Sequence, residues 1–331
     1  MLLDVRDLAV AYKDKEGREV RLIDGVTFQL RRGEALGLAG ESGCGKTTTA
    51  LSLLGLLPQN LYRAEGTIDV NSTRGVMHVH RRTERGLRDM RWNTVSIVFQ
   101  GAMNALDPVV RVSDQIAEAI ELHDPGMTKA DINKRIAELF GYVGINPNRA
   151  RQYPHEFSGG MRQRVMIALA LACNPELIIG DEPTTALDVM MQAQILELLE
   201  NLRRDFGLSM ILITHDLSVL AETCDRVAIM YGGQIAESGP VEQLYATPQH
   251  PYTQRLLGAF PTIGGPRELA PAIPGVPPDP ADVPEGCRFS PRCHRVQDRC
   301  RVETVEERAL DADRTVRCLF APWPDAAEGT P

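Results

Sequence analysis

Several things are scarce in this sequence. Its 331 residues contain no apolar run near the roughly 18 residues that cross a bilayer. Any membrane role must therefore run through a partner. No leader pattern opens the chain, since Met1-Leu2-Leu3 gives way at once to Asp4 and Arg6. A cytoplasmic chain is expected. Basic excess is missing too: the net charge is −8, whereas nucleic-acid binders usually carry a basic footprint. No nucleic-acid partner is expected, and the cluster Arg81, Arg82, Arg85 and Arg88 reads as a solvated face. Internal repeats and a long coiled-coil insertion are also absent. What remains is ordinary for a globular protein, with 43% hydrophobic and 24% charged residues. The length suits one large domain plus an appendage, or two domains.

Short apolar runs mark the strands. Leu8 to Tyr12 and Val26 to Leu30 read as strands in a β-rich opening. Ala35 to Ala39 reads as a strand entering a glycine-rich loop, and Thr47 to Leu57 as the helix beyond it. Val95 to Phe99, Leu177 to Gly180 and Ile211 to Thr214 look like buried strands of a parallel sheet. Val227 to Met230 looks like a further strand entering a turn at Gly232-Gly233. From 111 to 173 the period becomes helical, through Ile116 and Ile120 and again Ile132, Ile136 and Leu139. Near 261 the composition shifts to a proline-rich linker, and Asp325 to Pro331 reads as a frayed tail.

The loop Gly40-Glu41-Ser42-Gly43-Cys44-Gly45-Lys46-Thr47 fits G-x-x-x-x-G-K-[ST] between a strand and a helix, the setting this motif needs. Its glycines let backbone N–H groups face phosphates, and the helix N-terminus adds positive potential. Lys46 would neutralise β- and γ-phosphate charge, Thr47 would offer its hydroxyl to Mg²⁺, and Thr48 completes the nucleotide contacts. Cys44 reads as loop filler. Asp181 closes an apolar strand and would hold Mg²⁺ through water; Glu182 would polarise the attacking water.

A second phosphate-facing surface opens a helix at Phe157-Ser158-Gly159-Gly160-Met161-Arg162-Gln163-Arg164. Ser158 can bond a phosphate, while Gly159 and Gly160 expose N–H groups. This run resembles the ABC signature, usually written L-S-G-G-Q, with Phe157 and Met161 as departures. The F-S-G-G-M-R-Q-R form is similar to the oligopeptide/dipeptide-importer branch. His250 to Leu257 and Ile273-Pro274-Gly275 resemble that branch's C-terminal extension, and Gln100 to Pro108 its segment after the Q-loop.

The resemblance implies an α/β P-loop NTPase of ABC type, with a mixed β core, an antiparallel β subdomain and a helical signature subdomain. A nucleotide-binding domain over 1–260, its helical part about 101–173, would precede a linker and cysteine-bearing extension over 261–331. Tyr12 resembles the aromatic that stacks on adenine, Gln100 the Q-loop glutamine that senses Mg²⁺, Asp188 the D-loop aspartate and His215 the switch histidine. ATP and Mg²⁺ are the implied ligands. The implied partners are two transmembrane permease subunits and a second ABC ATPase, paralogue or self, with a solute-binding protein engaged indirectly. The implied place is the cytoplasmic face of the cell membrane. Di- or oligopeptides are the implied cargo, with oligosaccharide or nickel uptake and a soluble iron–sulfur-assembly ATPase as alternatives.

Of seven cysteines, Cys287, Cys293, Cys300 and Cys318 crowd together as C-x5-C-x6-C-x17-C. In a reducing compartment such a cluster reads as metal ligands. The spacing departs from C-x2-C zinc knuckles, and four cysteines can hold one iron–sulfur cluster. The resemblance implies [4Fe–4S]; zinc and a metal-free packed tail are the alternatives. His294 reads as a bystander.

Overall fold

The computed structural model describes residues 1–99, 101, 105–185, 187–259 and 273–323. Gln100, the first part of the expected linker and the final residues lie outside these. The strands are β1 (Leu3–Lys13), β2 (Glu19–Leu30), β3 (Ala35–Ala39), β4 (Tyr62–Ser72), β5 (Gly75–His78), β6 (Val95–Val98), β7 (Leu177–Asp181), β8 (Ser209–Ile213), β9 (Arg226–Tyr231), β10 (Gln234–Pro240), β11 (Arg308–Ala309) and β12 (Thr315–Val316). The helices are α1 (Lys46–Leu53), α2 (Glu84–Met90), α3 (Val112–His123), α4 (Lys129–Tyr142), α5 (Gly159–Ala170), α6 (Val189–Phe206), α7 (Leu217–Thr223), α8 (Val241–Ala246), α9 (Pro251–Gly258) and α10 (Arg299–Val302). Among the described residues no helix is long and apolar enough to cross a membrane.

The chain divides into two compact units. The first comprises Met1–Leu3, Leu30–Ala35 and Asp69–Ile213. In it β6, β7 and β8 run parallel, with Val95 opposite Leu177 and Leu177 opposite Ser209. All residues of β7 and β8 are buried, which explains their continuous apolar runs. The helical stretch anticipated from periodicity is α3, α4 and α5. Ile116 and Ile120 of α3 and Ile132, Ile136 and Leu139 of α4 all point into the core. A capping box starts α4: Thr128 accepts from the Asp131 N–H while Asp131 accepts from the Thr128 N–H.

The second unit comprises Asp4–Gln29, Leu36–Ile68 and Thr214–Pro331. Here β3 runs parallel to β9, β9 pairs antiparallel with β10, and β10 with β12. The pairing Glu237–Val316 thus carries the cysteine-bearing extension into the same ladder as the cassette strands. Further hydrogen bonds reinforce it. The Arg288 guanidinium reaches the Asp24 carboxylate at 2.5 Å, and the Arg317 N–H donates to the Ala236 carbonyl at 2.8 Å.

Candidate functional site

In the second unit, β3 ends at Ala39 and the chain turns through the phosphate loop into α1. Only glycine fits position 40: φ is +145°, and a Cβ there would sit 2.1 Å from the Met230 carbonyl oxygen. The Gly233 N–H donates to the Cys44 carbonyl at 3.1 Å, fastening the loop to the β9–β10 turn. Ser42, Gly43 and Thr47 are exposed, whereas Cys44 is buried beneath the loop. Burial raises the Cys44 thiol pKa above the ordinary value, despite the opposing pull of Lys46. That combination suits packing and opposes nucleophilic use.

Lys46 is 8% exposed. Its ammonium donates to the carbonyls of Gly40 at 2.7 Å and Glu41 at 3.1 Å. A buried ammonium must be paired, and the loop's own carbonyls supply the pairing at the position where phosphate oxygens would compete for it. Thr48 is half-buried in the first turn of α1, and Tyr12 half-buried near the end of β1. The Thr214 N–H donates to the Leu38 carbonyl at 3.4 Å, so exposed His215 is carried to the end of β3 that opens the loop.

The first unit holds the other candidates. Asp181 ends β7 and is 2% exposed. Glu182 follows with its N–H on the Ile213 carbonyl at 2.8 Å and a backbone φ of +47°. That is left-handed backbone, unusual for any residue with a side chain. The Thr185 hydroxyl donates to the Glu182 carboxylate at 2.8 Å, which holds the carboxylate in one orientation.

Ser158 caps α5 and accepts from the Met161 N–H at 3.4 Å. Asp188 caps α6 in the same way, accepting from the Met191 N–H at 2.9 Å. The two caps are neighbours: a Cβ on Gly160 would lie 1.8 Å from Met191 Cε. Phe157, which replaces the usual leucine, is buried with the Arg149 guanidinium 4.9 Å over its ring. Just beyond Asp188, Val189 and Met190 stand 81% and 72% exposed.

Cys287, Cys293, Cys300 and Cys318 line one pocket in the second unit, with Phe289, Arg295 and Trp323. Burial pushes the Cys287 thiol up to about 12 and Cys293 to about 11. Among the described residues, however, no three His, Cys, Asp or Glu side chains converge as a ready metal-ion site. The four cysteines share a pocket but form no ready metal-ion site.

Sequence reasoning missed what holds the loop from the C-terminal side. The Glu41 N–H donates to the Tyr252 hydroxyl at 2.9 Å, and the Glu41 carboxylate is gripped by both Arg292 terminal nitrogens, at 2.6 and 2.9 Å. Tyr252 sits in α9, inside the His250–Leu257 run; Arg292 stands beside Cys293. No local pattern announces a pair separated by 251 positions.

Residues 23–185 match the ABC transporter family, and residues 236–300 match the oligopeptide/dipeptide transporter C-terminal region. The oligopeptide transport ATP-binding protein AppD of Bacillus subtilis (strain 168) is 43% identical over 324 residues, spanning 96% of each chain. The oligopeptide transport ATP-binding protein OppD of Salmonella typhimurium is 43% identical over 302 residues, 91% of this chain and 88% of that one. Among solved structures, the dimeric post-hydrolysis ATP-binding cassette MJ0796 bound to ADP and Pi matches with a TM-score of 0.64 at 25% identity, over 72% of this chain and 99% of that one. The cbiO1 protein from Clostridium perfringens, part of the ABC transporter complex cbiONQ, matches at 0.62 and 26% identity, over 74% and 90%. Likeness on this scale runs the length of the cassette and on into its extension, and it makes this chain a member of the ATP-hydrolysing ABC transporter ATP-binding proteins, in their oligopeptide/dipeptide branch.

Proposed function

We propose that this chain binds and hydrolyses ATP to drive uptake of di- or oligopeptides through membrane partners. The observation that carries the reading is Lys46, a buried ammonium bonded to the carbonyls of its own loop beneath the exposed face of Ser42, Gly43 and Thr47. A triphosphate reaching that face takes over the ammonium, while Gly45 and the N-terminus of α1 supply further positive potential. Tyr12 stacks on the adenine. Thr47 and Asp181 are hard oxygen donors of the kind Mg²⁺ prefers. With Gln100 they would hold the ion, which supplies charge neutralisation on the phosphates when bound.

Glu182 takes the role of base toward the attacking water, kept in one orientation by the Thr185 hydroxyl. His215 stabilises charge developing on the γ-phosphate. Ser158, Gly159 and Gly160 present donors to the nucleotide of a second cassette, a paralogue or another copy, and Asp188 lies at that contact with Val189 and Met190. Nucleotide buried between two cassettes favours the closed pair, and hydrolysis releases it. The motion passes to two permease subunits at the cytoplasmic face of the membrane, with a solute-binding protein engaged indirectly. Relatives named for peptide transport span nearly the whole chain, which favours peptides over oligosaccharide or nickel and disfavours a soluble iron–sulfur-assembly role.

Residues 1–260 would serve as the cassette and 261–331 as the appended extension. Four thiols lining one pocket are a donor set for an iron–sulfur cluster or for zinc, and the likeness to the peptide-importer branch favours the cluster. Cys287, Cys293, Cys300 and Cys318 would hold such a cluster, which would supply a crosslink or a one-electron centre. Iron and sulfide analysis of anaerobically purified protein tests this; equimolar zinc with no iron would replace it.

For the ATPase reading, the test is Glu182→Gln in the assembled transporter. Loss of turnover with accumulation of a nucleotide-bound cassette pair is expected. Unchanged phosphate release would sink the assignment.

A further inference from the structure

Arg292 ends a short 3-10 turn, Ser290–Arg292, that lies in sequence between Cys287 and Cys293. The turn is tied to both cysteines: the Ser290 N–H donates to the Cys287 carbonyl at 2.9 Å, and the Cys293 N–H to the Ser290 carbonyl at 3.4 Å. The Arg292 side chain is 5% exposed. Its Nε donates to the Pro274 carbonyl at 2.7 Å, one terminal nitrogen donates to the Tyr231 hydroxyl at 3.3 Å, and both terminal nitrogens grip Glu41. Every edge of the guanidinium is therefore assigned, which fixes its plane. Tyr252, fully buried, takes the Glu41 N–H from the other side and packs against Tyr231 and Phe289 at ring separations of 4.6 and 5.4 Å. Glu41 is the residue between Gly40 and Ser42, and its own carbonyl accepts from Lys46 at 3.1 Å.

We propose that Arg292 is a positioning residue for nucleotide binding. From the cysteine-bearing extension it fixes Glu41, and through Glu41 it sets the path of the phosphate loop and the resting place of the Lys46 ammonium. The extension is thereby a working part of the nucleotide site. This rests on residues 40–47 being the nucleotide loop. A surface ion pair would contribute little. This pair is bidentate, nearly closed to solvent on the arginine side and anchored to backbone at Pro274, so truncating it leaves a half-buried carboxylate without its partner. The loop then relaxes toward water and its N–H groups lose their alignment.

The test is titration of the full-length chain with a fluorescent ATP analogue and Mg²⁺, with thermal melting in parallel. Arg292→Ala and Glu41→Gln are each expected to weaken nucleotide binding on the order of tenfold, the scale of one charged hydrogen-bonded pair. The double variant is expected to be no weaker than either single one, because both remove the same interaction. Arg292→Lys, which keeps the charge and loses the fork, is expected to fall between. If Arg292→Ala does not fold, Glu41→Gln and Arg292→Lys carry the measurement. Lower melting temperature with unchanged affinity overturns the proposal, as does strict additivity in the double variant. Lys46→Ala is the control: unaltered binding there condemns the reading of the loop itself and leaves Arg292 a structural clamp.

Discussion

The phosphate loop and the signature turn both offer backbone N–H groups at a helix start, yet they are built in opposite ways. The loop is held by the Gly233 N–H, the Tyr252 hydroxyl and the Arg292 guanidinium, and its lysine is buried on its own carbonyls. The turn at Ser158 is exposed, and its hydroxyl accepts from the N–H of its own helix at 3.4 Å. One region is finished within a single chain. The other is an open cap beside exposed Val189 and Met190. On the function proposed above, this contrast makes binding and turnover separable: the loop would hold nucleotide alone, and the cap would act once a second cassette covers it.

The sharpest separation is expected at Glu182. Glu182→Gln should reduce ATP turnover by roughly 10²- to 10⁴-fold, the scale of lost general-base catalysis, with nucleotide binding retained. A steady-state phosphate assay beside a binding titration checks both. At Lys46 the opposite pattern is expected. Lys46→Ala should weaken nucleotide binding about 100-fold, since a charge-assisted contact to phosphate is among the strongest available. Ser158→Ala should leave the affinity of the isolated chain within about twofold and slow turnover of the assembled transporter about tenfold, one lost donor at a charged ligand. If it weakened the isolated chain as much as Lys46→Ala does, the contrast between finished loop and open cap would collapse.

The smallest effect concerns pH. Burial raises Glu237 to about 7, although it accepts from the N–H groups of Gln249 and His250. The folded state then holds this proton more tightly than the unfolded chain. Its stability contribution is present below the ordinary carboxylate pKa and is lost as pH rises toward about 7. Neighbouring His250 is lowered to about 3 by burial, so its contribution is present above the ordinary imidazole pKa and is lost as the solution is acidified below it. Through mildly acidic pH the two slopes oppose each other. Glu237→Gln should expose the histidine slope alone, so that melting temperature rises more steeply from pH 5 to pH 7 than in the parent. Parallel curves would refute the assignment.

Much of the first unit was legible because its signals are periodic. Buried Ile132, Ile136 and Leu139 lie on one face of α4, as a 3.6-residue repeat requires. The continuous runs of β7 and β8 are buried on both sides. Motif spacing placed Gly40 to Thr47, Asp181, Glu182 and Ser158 at element ends, where the structure has them. The helix expected to reach Leu57 stops at Leu53, because Gly55 turns left-handed at φ +61°. The hairpin β4–β5 went unread, although Ala64, Gly66, Ile68 and Val70 alternate with Glu65, Thr67 and Asp69. The sheet pairing of the extension could not be read at all. Strands of two residues carry no period, and a contact such as Glu41–Arg292 is decided by the finished fold.

The left-handed backbone at Glu182 has a consequence for anyone trying to make this protein tougher. Holding a glutamate there costs about 1 kcal/mol relative to glycine. Given the role proposed for Glu182, a selection for heat tolerance that ignored turnover would reward Glu182→Gly, and the hardiest survivors would be idle ones. Robustness and work draw on the same residue in opposite directions, so thermal endurance is a poor proxy for a functioning pump.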